Sequence, residues 1–219
     1  MPAAVAMPAA VAMNDLPATP LSVAAEPAAA RRARPGLRAT LLRLSFALVI
    51  VVADLWSKAA VFAWLEPRRD ARALTLDVHG HPRHEIAGDW LAFMLSLNPG
   101  AAFGQLESFP YLLVFGRIVA VLFLVYWIAT SPKGRLVFNV ALVLVLGGAL
   151  GNLYDNLFLD LPHDGRPFGP VRDFIDVYFG VWDWHFPTFN VADSCISVGA
   201  VLLLLSSFGT PREQNAPSA

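Results

Sequence analysis

Residues 41–65 read LLRLSFALVIVVADLWSKAAVFAWL, and this stretch decides the fold class. About 20 mostly apolar residues in a helix are enough to cross the hydrocarbon layer of a membrane, and this run is longer. Three further apolar stretches, at 111–129, 136–154 and 191–209, have a suitable length as well. The sequence therefore predicts an all-α integral membrane protein with four transmembrane helices.

The composition of the whole chain agrees with a membrane protein. Of its 219 residues, 56% are hydrophobic and 15% are charged, whereas soluble domains carry about 25% charged residues. The formal net charge of -1 gives no general positive field for binding DNA or RNA, so no nucleic-acid partner is expected. The single cysteine, Cys195, excludes a disulfide within the chain and is interpreted as a core residue of the fourth span.

The terminal segments and the basic residues set the predicted topology. Residues 1–36 are rich in Ala and Pro without a periodic apolar face, which predicts a disordered tail. Residues 37–210 are the predicted four-span domain, and 211–219 are a short C-terminal tail. Lys and Arg cluster before the first span and between the second and third, which places both termini in the cytoplasm. Segments 66–110 and 156–190 then face outward, and a small β element is expected in the first of them.

Ionisable side chains within the apolar stretches give the first functional signal. A charge inside the membrane costs about 2.5–3.5 kcal/mol on insertion scales, so a retained one is a functional hypothesis. Asp54 and Lys58 lie one helical turn apart and can neutralise each other, either as a structural pair or as part of a site. Residues 98–104, NPGAAFG, precede the second span and can form a tight turn with a side-chain amide.

Paired Asn and Asp residues occur at the outer ends of two predicted helices. Asn152 and Asp155 share a face at the end of the third span, and Asn190 and Asp193 open the fourth. Alone, Asp193 could be a helix cap, and Asp173 a solvated loop carboxylate. Together they bring carboxylates to one membrane face, where two partly desolvated groups share a proton. Such a pair can activate water for peptide hydrolysis without a metal, a cofactor or a nucleophilic side chain.

Other chemistries leave weaker signals in the sequence. It contains neither a Gly-x-Ser-x-Gly elbow nor a His-Glu-x-x-His pair. His79, His81 and His84 are interpreted as solvated loop residues, with a metal site as the alternative. A proton-coupled transporter is a competing hypothesis, but it predicts carboxylates near the middle of the membrane and an internal repeat. The sequence instead places most carboxylates at one face and shows no repeat among the spans.

Five ordered blocks carry a resemblance to a known family. They are Asp54-Leu-Trp-Ser-Lys58, Asn98-Pro-Gly-Ala-Ala-Phe103, Gly151-Asn-Leu-Tyr-Asp155, Val171-Arg-Asp-Phe174 and Phe189-Asn-Val-Ala-Asp-Ser194. Over residues 41–209 the chain resembles the lipoprotein signal peptidases, also called signal peptidase II, which are four-span aspartic peptidases of bacterial inner membranes. The resemblance implies an endopeptidase that cuts diacylglyceryl-modified prolipoproteins immediately before the lipidated cysteine.

The resemblance also implies a role for each motif residue. Asp173 and Asp193 would be the catalytic dyad, and a pairing of Asp193 with Asp155 is the alternative. No metal and no cofactor are implied, and the enzyme would be a monomer in membrane lipid with its site near the extracytoplasmic face. The other implied site residues are Asp54, Lys58, Asn98, Gly100, Asn152, Asp155 and Asn190.

The chain departs from the family pattern in two places. An Arg usually follows the Asp of the Gly-Asn-x-x-Asp block, and here the residue is Asn156. Either Arg166 or Arg172 is a candidate to supply that charge, and a non-catalytic scaffold that kept the motifs is the alternative reading. The outer segments at 66–90 and between Asp155 and Asp173 are longer than usual, which affects the fit of the substrate more than the reaction.

Overall fold

The computed structural model describes residues 35–70, 74–76, 82–101, 105–159 and 165–208. In this part of the chain, four helices are long and apolar enough to cross a membrane, which confirms the four predicted spans. They are α1 (Leu37–Asp70), α2 (Pro110–Thr130), α3 (Leu136–Phe158) and α4 (Val191–Phe208). The predicted tails at 1–36 and 211–219 lie outside the described residues, apart from Pro35 and Gly36.

Two helices extend beyond their predicted ends. α1 has 34 residues and continues into Arg68 and Arg69, whose positive charges suit the C-terminal end of a helix. α3 continues four residues past the predicted end at Tyr154 and therefore includes Asp155 and Asn156. The C-terminal end of α3 thus holds polar groups on a regular helical backbone.

An antiparallel sheet lies between the helices in sequence. The described residues contain five strands in the order β1-β2-β3-β4-β5. They are β1 (Thr75–Leu76), β2 (Pro82–Ala87), β3 (Leu91–Asn98), β4 (Val171–Phe179) and β5 (Trp184–Phe189). Strands β1–β3 follow α1 and β4–β5 follow α3, so the β3–β4 pairing joins the two outer segments and sets Ser96 opposite Asp173.

Strands β4 and β5 were not predicted from the sequence. On β4, buried positions include two carboxylates, Asp173 and Asp176, where a half-buried strand usually carries apolar residues. Their charges hide the alternating pattern by which a strand is recognised. Segment 171–189 is therefore interpreted as a loop from its sequence and is a hairpin in the structure.

Helix α3 is the central helix of the bundle and packs against the other three. Within its most apolar window 56% of the residues are buried, compared with 11% in α4. Cys195 lies on α4 and is only half-buried, so the prediction that it is a core residue was wrong. A Cβ on Gly148 would collide with the Ala192 carbonyl oxygen, and one on Gly151 with the Asp54 carboxylate. These contacts bring the polar residues of α1, α3 and α4 together.

Candidate active site

The N-terminus of α4 is built around Asn190 and Asp193. The Asp193 backbone N–H donates to Asn190 Oδ1 at 2.9 Å, and the Asn190 backbone N–H donates to Asp193 Oδ2 at 3.2 Å. This reciprocal pair is a capping box with Asp in the place of Glu. The Ala192 N–H donates to Asp54 Oδ1 at 2.9 Å, so α1 also caps this helix. The capping role considered for Asp193 is therefore real, and it fixes the position of that carboxylate.

Asp173 faces Asp193 from β4 and is held by two side-chain amides. Asn190 Nδ2 donates to its Oδ1 at 2.6 Å, and Asn98 Nδ2 donates to its Oδ2 at 3.2 Å. The side chain is buried, with 2% exposure. Asp173 is therefore not the solvated loop carboxylate that its sequence context favours when it is considered alone.

The electrostatic environment of Asp173 favours its protonated form. Burial and, next in size, the negative charge of Asp193 raise the pKa of Asp173 to about 7, against the lowering effect of its two amide donors. A carboxyl group whose pKa lies near 7 can exchange a proton at neutral pH, and Asp193 supplies a second carboxyl group in the same polar network. This arrangement provides one group that can accept a proton and one that can donate it.

Lys58 lies below this pair in a buried ionic cluster. Its Nζ is 2.7 Å from Asp54 Oδ2 and 3.3 Å from Asp155 Oδ2, and both Lys58 and Asp54 are fully buried. Lys58 also donates to Asn152 Oδ1 at 2.9 Å, while Asn152 Nδ2 donates to Asp193 Oδ1 at 2.7 Å. Asp54 and Lys58 are thus an ion pair, as predicted, and Asn152 connects that pair to Asp193.

Asp155 is bound by a second cation. Arg172 Nη2 lies 2.7 Å from Asp155 Oδ1, and the Arg172 backbone N–H donates to Oδ2 at 3.1 Å. With Lys58 on the other side, Asp155 contacts two positive charges and has no exposed surface. Of the two arginines considered as replacements near Asn156, Arg172 enters the site. Arg166 instead forms a surface pair with Glu107 at 2.6 Å.

The turn after β3 places Asn98 and Gly100 at the edge of the site. Asn98 Oδ1 accepts the Gly100 N–H at 3.0 Å, which orients the amide so that Nδ2 reaches Asp173. The structure thus brings all nine predicted site residues into one network, with Gly100 contributing through its backbone. Of the three histidines, His84 lies in β2 with its ring 4.6 Å from that of Trp64, while His79 and His81 lie outside the described residues.

Sequence reasoning missed one basic residue of this network. Arg117 of α2 donates through Nη1 to Asn156 Oδ1 and through Nη2 to the Gly100 carbonyl oxygen at 3.4 Å. The available signal was that Arg117 is the single charged residue of α2. Its partner Asn156 lies 39 positions away, and no local pattern indicates that pairing.

Comparisons with known proteins agree with this architecture. A family model described as signal peptidase (SPase) II matches residues 46–209. The lipoprotein signal peptidase of Yersinia pseudotuberculosis is 45% identical over 98 residues, which is 45% of this chain and 51% of that protein. The lipoprotein signal peptidase of Pseudomonas paraeruginosa is 42% identical over 137 residues, which is 60% of this chain and 74% of that protein.

A solved structure shares the fold as well. It is a bacterial membrane enzyme that aligns with a TM-score of 0.59 at 25% identity, over 84% of this chain and 97% of its own. The family match runs from within α1 to the end of α4 and includes both Asp173 and Asp193. The chain therefore belongs to the signal peptidase (SPase) II family, the bacterial inner-membrane peptidases that remove signal peptides from prolipoproteins.

Proposed function

We propose that Asp173 and Asp193 form the catalytic dyad and activate a water molecule to hydrolyse the signal-peptide bond. The observation that carries this proposal is the environment of Asp173, a buried carboxyl group held by neutral amides beside a second carboxylate, with its pKa raised to about 7. One Asp takes a proton from water, and the other donates a proton to the carbonyl oxygen of the scissile bond. The proton belongs to the pair as a unit.

The surrounding polar residues hold the dyad in place. Asn98 and Asn190 orient Asp173, while Asn152 orients Asp193. Neutral amides are suited to this task because they fix both carboxyl groups without forcing either one to remain ionised. Asp54 and Lys58 support the arrangement from below by capping α4 and holding Asn152.

The partners of Asp155 argue against it as the second member of the dyad. Two cations, Lys58 and Arg172, contact its carboxylate at 3.3 and 2.7 Å. Its two oxygens are thus already engaged by cations, whereas the direct partners of Asp173 are neutral amides. Asp155 instead anchors β4 to the end of α3 through Arg172.

We propose that the substrate is a diacylglyceryl-modified prolipoprotein, that the enzyme is a monomer, and that the dyad lies at the extracytoplasmic face with both termini in the cytoplasm. The connection between α2 and α3 carries Lys133 and Arg135 at the opposite end of the bundle from the sheet, which fits this orientation. An apolar groove between α1, α2 and α3 reaches Tyr154 and Phe158, the neighbours of the site on α3. Acyl chains of the substrate can occupy such a surface from the lipid side.

Cleavage by the detergent-solubilised protein tests this proposal. Mass spectrometry of a diacylglyceryl-modified prolipoprotein should show a cut immediately before the lipidated cysteine with the wild type, and no cut with Asp173→Asn or Asp193→Asn. Glu107→Gln, which removes an exposed carboxylate, is the matched control and should remain active. Activity that survives Asp173→Asn but is lost in Asp155→Asn would assign the dyad to Asp155.

A chelator should leave the cleavage rate unchanged. A loss of activity on adding a chelator would support the alternative of a metal site at the loop histidines.

A further inference from the structure

Arg117 is a cation in an unusual position. It lies seven residues after Pro110, the first residue of α2, and therefore about 10 Å below the outer end of that helix. A guanidinium at this depth in a span costs a few kcal/mol unless it is offset by specific partners. Arg117 therefore requires an explanation from its surroundings.

The direct partners of Arg117 are neutral groups. Its guanidinium donates to Asn156 Oδ1 and to the Gly100 carbonyl oxygen. Among the described residues, no carboxylate lies within ion-pair distance of it, whereas Lys58 and Arg172 each contact one directly. Within the part of the chain that the structure describes, the charge of Arg117 is thus not neutralised by an ion pair. It interacts electrostatically with the more distant carboxylates of Asp193, Asp173 and Asp155.

The side-chain amide of Asn156 is oriented to accept a hydrogen bond from this guanidinium. It is buried, with 3% exposure, and its Nδ2 donates to the Gly169 carbonyl oxygen at 2.7 Å, which turns Oδ1 toward Arg117. An amide is short and uncharged, so it leaves space for a long cationic side chain from the neighbouring helix. The Asn at this position is therefore the docking group for a charge that arrives from α2.

The charges around the dyad balance only when Arg117 is included. In the cluster below the dyad, the carboxylates Asp54 and Asp155 are matched by the cations Lys58 and Arg172. That cluster is neutral as a whole, so it leaves the single negative charge of a dyad with one proton uncompensated. Arg117 is the cation that offsets this charge.

We propose that Arg117 is a positioning residue of this peptidase, which fixes the turn at Gly100 against Asn156 and keeps one carboxylate of the dyad ionised. The proposal rests on the proposed dyad of Asp173 and Asp193. The charged groups that face the dyad are Arg117 from α2, Asp54 and Lys58 from α1, Asp155 from α3 and Arg172 from β4. Without Arg117 these groups sum to zero, and the single negative charge of the dyad has no cation to offset it.

The test is the pH dependence of kcat/KM for prolipoprotein cleavage. Arg117→Gln should lower kcat/KM at neutral pH by about 30-fold and move both limbs of the profile to higher pH by about one unit, because the loss of a nearby positive charge makes carboxylates bind protons more tightly. Arg117→Lys keeps the charge and should retain the wild-type profile. Arg166→Gln removes an exposed guanidinium and is the matched control with no expected change.

A double variant separates the role of the charge from a structural role. Arg117→Asn combined with Asn156→Arg exchanges the two side chains across the contact, and it should recover at least about tenfold of the lost activity and the original profile. If Arg117→Gln keeps the wild-type profile, loses activity only in proportion to a lowered Tm, and is not improved by the exchange, the proposal is overturned. Full activity in Asp173→Asn would instead overturn the dyad, and that result is independent of Arg117.

Discussion

Asp173 and Asp176 lie three residues apart on β4, and both are buried, with exposures of 2% and 1%. Asp176 contacts two groups that can carry positive charge, Arg83 Nη2 at 3.2 Å and His185 Nδ1 at 2.9 Å. Asp173 contacts only neutral amides and faces a second carboxylate. Burial is therefore the same for both carboxyl groups, and what distinguishes them is the chemistry of their partners.

The strand itself separates the two environments. Successive side chains on a strand point to opposite faces, so an odd spacing sends Asp173 and Asp176 to different sides of the sheet. One side meets the ends of α3 and α4, where the site lies. On the other side, Asp176 joins β2, through Arg83, to β5, through His185. A single strand thus carries the carboxyl group that we propose to be catalytic and another that binds neighbouring strands.

The largest expected effect concerns activity. Asp173→Asn should lower kcat by at least about 10³-fold, within the range supplied by general acid–base catalysis. Asp176→Asn should leave the kcat of the folded protein within a few-fold of the wild type, because that carboxylate is turned away from the dyad. The measurement is prolipoprotein cleavage per folded enzyme. Loss of activity in a well-folded Asp176→Asn protein, with activity kept in Asp173→Asn, would reverse the two roles.

The second effect concerns stability, for which Asp176 should matter more than Asp173. Asp176→Leu leaves the buried Arg83 guanidinium without its carboxylate, and breaking such a pair costs about 3–5 kcal/mol of unfolding free energy. The double variant Arg83→Met with Asp176→Leu should recover most of that loss, because no unpaired charge remains. Thermal unfolding in detergent measures both. An unchanged Tm in Asp176→Leu would show that the pair is not structural.

The third effect is the pH dependence of stability. The pKa of Asp173 is raised to about 7 in the folded protein, compared with about 3.9 in an unfolded chain. Between these values the folded protein binds more protons, so Asp173 lowers the unfolding free energy as pH rises, and the loss is complete above about pH 7. Asp173→Asn removes this penalty.

The unfolding free energy of Asp173→Asn relative to the wild type should therefore increase by more than about 1 kcal/mol between about pH 5 and about pH 8. Glu107→Gln, which removes an exposed surface carboxylate, is the control for the effect of removing a charge. Denaturant unfolding in detergent at several pH values tests the difference. A relative stability of Asp173→Asn that is independent of pH would mean that this carboxyl group titrates normally.

The smallest effect comes from a single amide. Asn98→Ala removes the hydrogen bond of 3.2 Å to Asp173 but leaves the closer bond from Asn190. Because this bond favours the ionised form of Asp173, its loss should move the acidic limb of the pH–rate profile to higher pH by a fraction of a unit. The less well-oriented carboxyl group should also lower kcat by about tenfold. A profile that shifts downward would contradict this assignment.

Much of the molecule could be predicted from local patterns. The four spans follow from apolar length alone, and the ion pair of Asp54 and Lys58 follows from helical spacing. The same spacing predicts that Asn190 and Asp193 meet at a helix start. Each of these features depends on residues within a few turns of one another, where sequence distance and spatial distance agree.

The rest depends on contacts between distant segments. The β3–β4 pairing joins residues more than 70 positions apart, and two carboxylates mask the alternation of β4. Arg117 meets Asn156 across two helices, and the two arginines nearest to Asn156 in sequence bind other carboxylates, Asp155 and Glu107. A cation needed at one point can come from any neighbouring element, so its origin cannot be derived from spacing.

The capping box at the start of α4 ties enzymatic function to one helical turn. The bonds between Asn190 and Asp193 that begin the helix also position the carboxylate of Asp193, a member of the proposed dyad. Helix ends fray at much lower free energy than that needed to melt a whole bundle. If the proposed dyad is correct, transient opening of this first turn is expected to abolish activity while the rest of the fold persists. On heating, catalysis should fail before global unfolding, and hydrogen exchange at the amides of Ala192 and Asp193 should report the same opening.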